Sequence, residues 1–127
     1  MTLLVRHYKI IFMKKIIISL FTLCIMHTSA NAYVDYDNAV LRIMNKAAGK
    51  SYTVKANVGN DARFEKLHFT VRACKQTDPF QAEDFFAFVE ISDASGKMIF
   101  SNWMSRNEPG RNPLQNADYD VWLVKCE

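Results

Sequence analysis

The sequence predicts an all-β fold, a small antiparallel sandwich or partly open barrel of about six to seven strands, preceded by a signal peptide. Three observations carry that expectation. Runs rich in Val, Ile, Phe, Tyr and Trp, several with period-two alternation, recur between residues 38 and 126. Segments bearing Gly, Pro, Asn or Asp separate them, and these residues form turns for specific backbone reasons. A basic pair, an apolar run and an Ala-x-Ala site stand at the head of the chain.

The head comes first in the order of the chain. Lys14-Lys15 precedes an apolar run over residues 16–26, and Ala30-Asn31-Ala32 follows. That is the layout of a secretory signal peptide, with cleavage expected after Ala32. Met13 stands directly before the lysine pair as a natural start. Residues 1–12 are then either a long basic region or untranslated. The alternative is an uncleaved anchor, but the apolar run is short against the roughly 20 residues that span a bilayer. Cys24 follows Leu23 rather than a small residue, which departs from a lipoprotein cleavage pattern. Residues 33–127 remain as a single β domain.

Removing residues 1–32 changes the electrostatics. Arg6, Lys9, Lys14 and Lys15 leave with no acid, so 12 of the 16 basic side chains remain against 13 acidic ones, a net of −1. The basic pI belongs to the targeting segment. No nucleic-acid partner is expected, and a membrane partner only through an uncleaved signal segment.

Asn38–Asn45 alternates with Ala39, Leu41 and Ile43 on one side, and that face is expected inward. Gly49 offers a positive φ for the turn that follows. Residues 51–58 return with Tyr52, Val54, Ala56 and Val58 on one face, completing a hairpin. After Gly59-Asn60-Asp61, a short polar bridge through Phe64 leads to residues 67–75. There Leu67, Phe69, Val71 and Ala73 form the buried face, with His68, Thr70, Arg72 and Cys74 opposite. Residues 75–84 form a polar loop broken by Pro79. Phe85–Ser92 is apolar on nearly both faces and reads as a central strand; residues 81–87 also fit a short helix. Residues 92–96 turn into a strand over residues 97–105 carrying Ile99, Phe100, Trp103 and Met104. The longest loop, residues 106–118, holds Pro109-Gly110 and Pro113. Such a loop is either functional or merely tolerated, because closure entropy rises slowly with length. Tyr119–Cys126 closes the fold as a strand apolar on both faces, expected to be covered on both sides.

Cys74 and Cys126 remain after Cys24 leaves with the signal. An even cysteine count in an exported domain predicts a disulfide. It closes a loop of more than fifty residues, worth roughly 4 kcal/mol by chain entropy. A zinc pair or a catalytic thiol is the alternative. Zinc needs about four ligands, and His68 is the one histidine beyond residue 32. No cofactor or metal is therefore expected.

The search for chemistry returns no Gly-rich phosphate loop, metal-ligand spacing or nucleophile elbow. Asp118 and Asp120 share a strand face, a geometry that also suits solvated acids at a strand entrance. Trp103 and Trp122 could stack on a sugar; in a small β domain both are expected in the core. His68 falls among polar groups with no acid partner in its alternation.

Phe100-Ser101-Asn102-Trp103-Met104, a Pro-bearing loop, and Tyr119-Asp120-Val121-Trp122-Leu123 with a closing cysteine together resemble the C-terminal signature of a bacterial secreted domain of unknown function, family 2155. Thr70-Val71-Arg72-Ala73-Cys74 and Val40-Leu41-Arg42 extend the resemblance over nearly all of residues 33–127. Two departures stand out: the family usually carries Gly at position 102 and a His-Pro pair at positions 117–118. The resemblance implies a Gram-negative envelope protein and supplies no catalytic residue.

The functional expectation is a periplasmic or secreted, non-enzymatic module that binds another envelope protein or serves structurally. A cell-wall glycan is the alternative ligand, and a small hydrolase ranks third. The expected contact surface is Trp103 with the loop side chains Arg106, Asn107, Arg111, Asn112 and Asn116.

Overall fold

The computed structural model describes residues 7–16 and 33–127. Residues 7–16 are helical, and no helix among the described residues is long and apolar enough to cross a membrane. Residues 17–26 of the apolar run expected for a signal, and the expected cleavage site at Ala32, lie outside the described residues.

Residues 33–127 hold eight strands in two antiparallel sheets. The strands are β1 (Tyr33–Asp35), β2 (Asn38–Asn45), β3 (Lys50–Asn57), β4 (Asp61–Phe64), β5 (Leu67–Thr77), β6 (Phe85–Ser92), β7 (Met98–Ser105) and β8 (Tyr119–Cys126). The larger sheet runs β1-β5-β6-β7, with β4 also paired to β5; the smaller runs β3-β2-β8. The eleven-residue β5 is long enough to hold both β4 and β1 along one edge. The sheets face each other without closing, so the sandwich is the correct alternative to a barrel. The two short strands β1 and β4 raise the count above six or seven. Three residues and four residues carry too little pattern to be read from sequence.

The inner faces meet in one core. Ala39, Leu41 and Ile43 of β2 and Tyr119, Val121 and Leu123 of β8 lie opposite Leu67, Phe69 and Val71 of β5 and Ala87, Val89 and Ile91 of β6. Phe100 and Met104 of β7 and Leu114 of the long loop complete it. The expected inward face of β2 and the alternation of β6 are as the sequence reads. β6 is central, paired on both sides. Residues 81–84 form no helix. Gly49 turns the β2–β3 hairpin at a φ of 65°.

Three expectations need correction. First, β8 is not covered on both sides. It is an edge strand of the smaller sheet with one buried face, and Val124 and Lys125 stand exposed. Second, strict alternation sets Cys74 on the face opposite Leu67, Phe69 and Val71 and groups Cys126 with Trp122, whereas both cysteines share the inward face. In β5, Val71 opposes Val89 and Ala73 opposes Phe88, which leaves Arg72 as an extra residue. In β8, Leu123 opposes Leu41 and Lys125 opposes Val40, which leaves Val124 extra. Each bulge reverses the side-chain alternation beyond it. Cys74 and Cys126 are thereby turned into the core, where both are buried. Their disulfide joins β5 to β8 across the two layers, with the α-carbons 5.6 Å apart. Third, Trp103 is not a core residue: it is 40% exposed, and Trp122 is half-buried.

Candidate functional site

No strand or helix of residues 33–127 covers the outer face of the larger sheet, and the sequence puts aromatic residues on it. β6 alternates Phe85, Ala87, Val89 and Ile91 inward, so Phe86 and Phe88 point outward. Phe86 lies between Lys75 of β5 and Ser105 of β7; Phe88 lies between Ala73 and Trp103. Tyr33 of β1 meets Phe86 edge-on, with ring centroids 6.2 Å apart. Phe88 meets Trp103 edge-on at 5.5 Å. Cross-strand aromatic pairs of this kind stabilise a sheet and hold each other's rotamers. Between them lies a cleft of about 280 Å³, lined by Tyr33, Lys75, Phe86 and Trp103. Tyr33 is 53% exposed and Trp103 40%, so the cleft opens to solvent between two ring edges.

A second cleft of about 240 Å³ shares Phe86 and Trp103 with the first. Asn102, Ser105, Pro109, Arg111 and Asn112 also line it. Trp103 is the wall between an aromatic pocket on one side and a polar one on the other. The long loop reaches this position because its base is fastened. Asp84 Oδ1 accepts from the Asn107 and Phe85 amides, and Asp84 Oδ2 accepts from the Ser105 hydroxyl at 2.8 Å. Arg106 pairs with Glu83 at 2.8 Å and lies over the Phe85 ring at 4.8 Å. Asn107 Nδ2 donates to the Glu83 carbonyl. Further along, Leu114 is buried in the core, and Asn112 Nδ2 donates to the Trp103 carbonyl at 3.3 Å. The free edge of β7 is thus capped by a side chain of its own loop.

Of the six residues the sequence suggests for a contact surface, the structure brings three together: Trp103, Arg111 and Asn112. Arg106 and Asn107 fix the loop base. Asn116 Oδ1 accepts from the Asp118 and Tyr119 amides and shapes the entry to β8. Four contributors were missed: Tyr33, Lys75, Phe86 and Phe88. Phe86 and Phe88 are legible as an apolar second face of β6, but such a face also fits a strand covered on both sides.

The cations at this face sit in exposed pairs. Lys75 is 3.3 Å from Asp35, and Arg111 is 3.2 Å from Glu108. Exposed pairs of this type are weak and exchangeable.

His68 lies elsewhere, exposed on β5 beside Asp61, Glu90, Ser92 and Met98. Both nearby carboxylates are engaged with other groups. Asp61 accepts from the Thr70 hydroxyl at 2.6 Å, and Glu90 accepts from Arg72 at 3.1 Å. That bond, with the charge of Glu90, raises the Arg72 pKa further. Asp120, half of the possible acid pair, is 3.2 Å from Lys46. Among the described residues, no group of three or more His, Cys, Asp or Glu side chains is placed to hold a metal.

A polar junction, buried only on its Tyr119 side, joins the sheets at the other end of β8. The Tyr119 hydroxyl donates to Glu65 at 2.8 Å, and Asn45 donates to the same carboxylate oxygen at 2.9 Å. Glu65 sits in the tight turn between β4 and β5 at a φ of 49°, where a non-glycine residue is uncommon. Burial first, and then the Glu65 hydrogen bond and charge, raise the Tyr119 pKa.

No curated protein and no solved structure matches the chain. A family model does match, over residues 39–126, from the second residue of β2 to the end of β8. The disulfide, the core and the Phe86–Phe88–Trp103 face all lie within that span, and the chain belongs to the family described as uncharacterized protein conserved in bacteria (DUF2155).

Proposed function

We propose that the protein is an exported, non-enzymatic binding module that makes its contacts through the outer face of the larger sheet around Trp103. The observation that carries this reading is the row of aromatic side chains left open there. Tyr33, Phe86, Phe88 and Trp103 converge on a face that no strand or helix of residues 33–127 covers. A contiguous exposed apolar patch marks an interaction site, and Trp and Tyr dominate contact energies. Export is supported by the signal-like head of the sequence and by a disulfide, which persists in oxidising compartments. The non-enzymatic part rests on His68, whose neighbouring carboxylates are committed to Thr70 and Arg72.

Sequence alone ranks another envelope protein as the first partner. The open indole beside Arg111 and Asn112 favours the second class, a cell-wall glycan, because a sugar needs a ring to stack on and polar side chains next to it. Crosslinking and recovery from intact envelopes tests the face itself. Trp103→Ala is expected to lose whatever the natural protein captures. Recovery of the same material by both proteins would defeat the reading. Retention on purified peptidoglycan, lost in Trp103→Ala and accompanied by no specific protein, supports the glycan.

A further inference from the structure

The two clefts around Trp103 share a charge character. Lys75 is the one charged residue lining the first, and Arg111 the one charged residue lining the second. No carboxylate lines either cleft among the described residues. The remaining lining is aromatic, amide, hydroxyl, Pro or Met. Each cleft alone is below the roughly 300 Å³ at which small-molecule pockets begin. They share Phe86 and Trp103, so one elongated occupant crossing the indole fills both.

We infer that this face binds a carboxylated oligosaccharide, laid across Trp103 with its acidic groups reaching Lys75 on one side and Arg111 on the other. The inference rests on the reading that this face is the binding surface, and it adds the chemistry of the ligand. Pyranose rings offer flat C–H faces to Phe86 and Trp103. Their hydroxyls meet the Asn102 and Asn112 amides. Ligand carboxylates exchange with Asp35 and Glu108, whose pairs with Lys75 and Arg111 are exposed and weakly held. An extended acidic peptide fits less well. Its main route onto a sheet is strand addition at a free edge, and here the Trp103 carbonyl is already taken by Asn112. The face recognises its ligand through side chains.

Calorimetric titration of the exported, oxidised full chain tests this with three probes: a uronic-acid tetramer, a neutral N-acetylglucosamine tetramer and poly-glutamate. The acidic tetramer is expected to bind at least about tenfold tighter than the neutral one. That preference is expected to shrink as salt rises, since these cations are exposed. Lys75→Gln and Arg111→Gln are each expected to weaken the acidic tetramer about three- to fivefold and leave the neutral one and the thermal midpoint unchanged. Trp103→Ala is expected to weaken both glycans at least about tenfold. Equal binding of the two tetramers overturns the carboxylate claim. Binding of poly-glutamate alone overturns the glycan and makes the ligand an acidic peptide. If none of the probes binds while Trp103→Ala still loses envelope capture, the inference falls and the binding face stands. If Trp103→Ala changes neither, both fall.

Discussion

At the scale of single residues, outward and inward aromatics carry different consequences. Tyr119 faces in. Its hydroxyl is held by Glu65, and its pKa stands above the ordinary tyrosine value because burial and a neighbouring carboxylate both oppose the phenolate. The stability it contributes is therefore fully present below about pH 10 and is lost as pH rises through the folded value. Thermal midpoints across the alkaline range are expected to fall more steeply for the natural protein than for Tyr119→Phe. Equal slopes would remove Tyr119 from the account. Trp103, Phe86 and Phe88 face out. The sequence shows them only as strong strand formers, and a strand apolar on both sides reads as doubly covered. The structure separates exposure from hydrophobicity here, because no strand or helix of residues 33–127 lies over that face.

At the scale of elements, period-two alternation placed β2 and β6 correctly and failed at β5 and β8. The failures share one cause. Arg72 and Val124 are bulged, and a bulge leaves no mark in an apolar pattern read from one strand at a time. Deleting either residue removes the bulge and leaves Cys74 or Cys126 facing the core, because the residues on both sides keep their partners, whereas adding one residue before the cysteine turns it to the outer face. Insertion of one Ala between Ala73 and Cys74 is expected to yield two free thiols by thiol titration, whereas deletion of Arg72 and Arg72→Ala each keep the disulfide. A disulfide in the insertion variant would show that the register does not set the cysteine's direction. The long loop has its own anchor in Asp84, which accepts from two amides and one hydroxyl. Asp84→Ala is expected to destabilise the protein by about 1–3 kcal/mol. It is also expected to speed hydrogen exchange over residues 106–112 more than in the core strands. Unchanged protection there would mean that Arg106 and Asn107 hold the loop without it. The loop's position beside Trp103 was not legible in the sequence, because Asp84, Ser105 and Asn107 give no pattern until β6 and β7 are paired.

At the scale of the whole molecule, two sheets of modest size enclose one core, and one covalent bond ties them. Replacing Cys74 and Cys126 together by Ala is expected to lower stability by roughly 4 kcal/mol, the chain-entropy value for the loop they close. Denaturant unfolding of the oxidised protein and the double variant measures it, and a loss below about 1 kcal/mol would mean that the bond adds little. The cysteine count and the compartment argument made the pairing legible, whereas the route by which the sulfurs meet was hidden in two bulges. The expectation for the head of the chain is cleavage after Ala32. Intact-mass analysis of envelope protein is expected to start at Tyr33, and a species retaining residues 16–26 would restore the anchor. Tyr33 would then be the first residue of the exported protein as well as one wall of the cleft.

The two bulges also give the disulfide a reporting role. A slip of one residue in either strand sends that cysteine to the outside, so the sulfurs meet only when both registers are right. A molecule folded out of register carries two unpaired thiols, a chemical label that thiol-reactive folding enzymes can detect and a correctly folded molecule lacks. Oxidation in this protein is therefore a test of alignment as well as a brace: two independent strand pairings must agree before one bond can form.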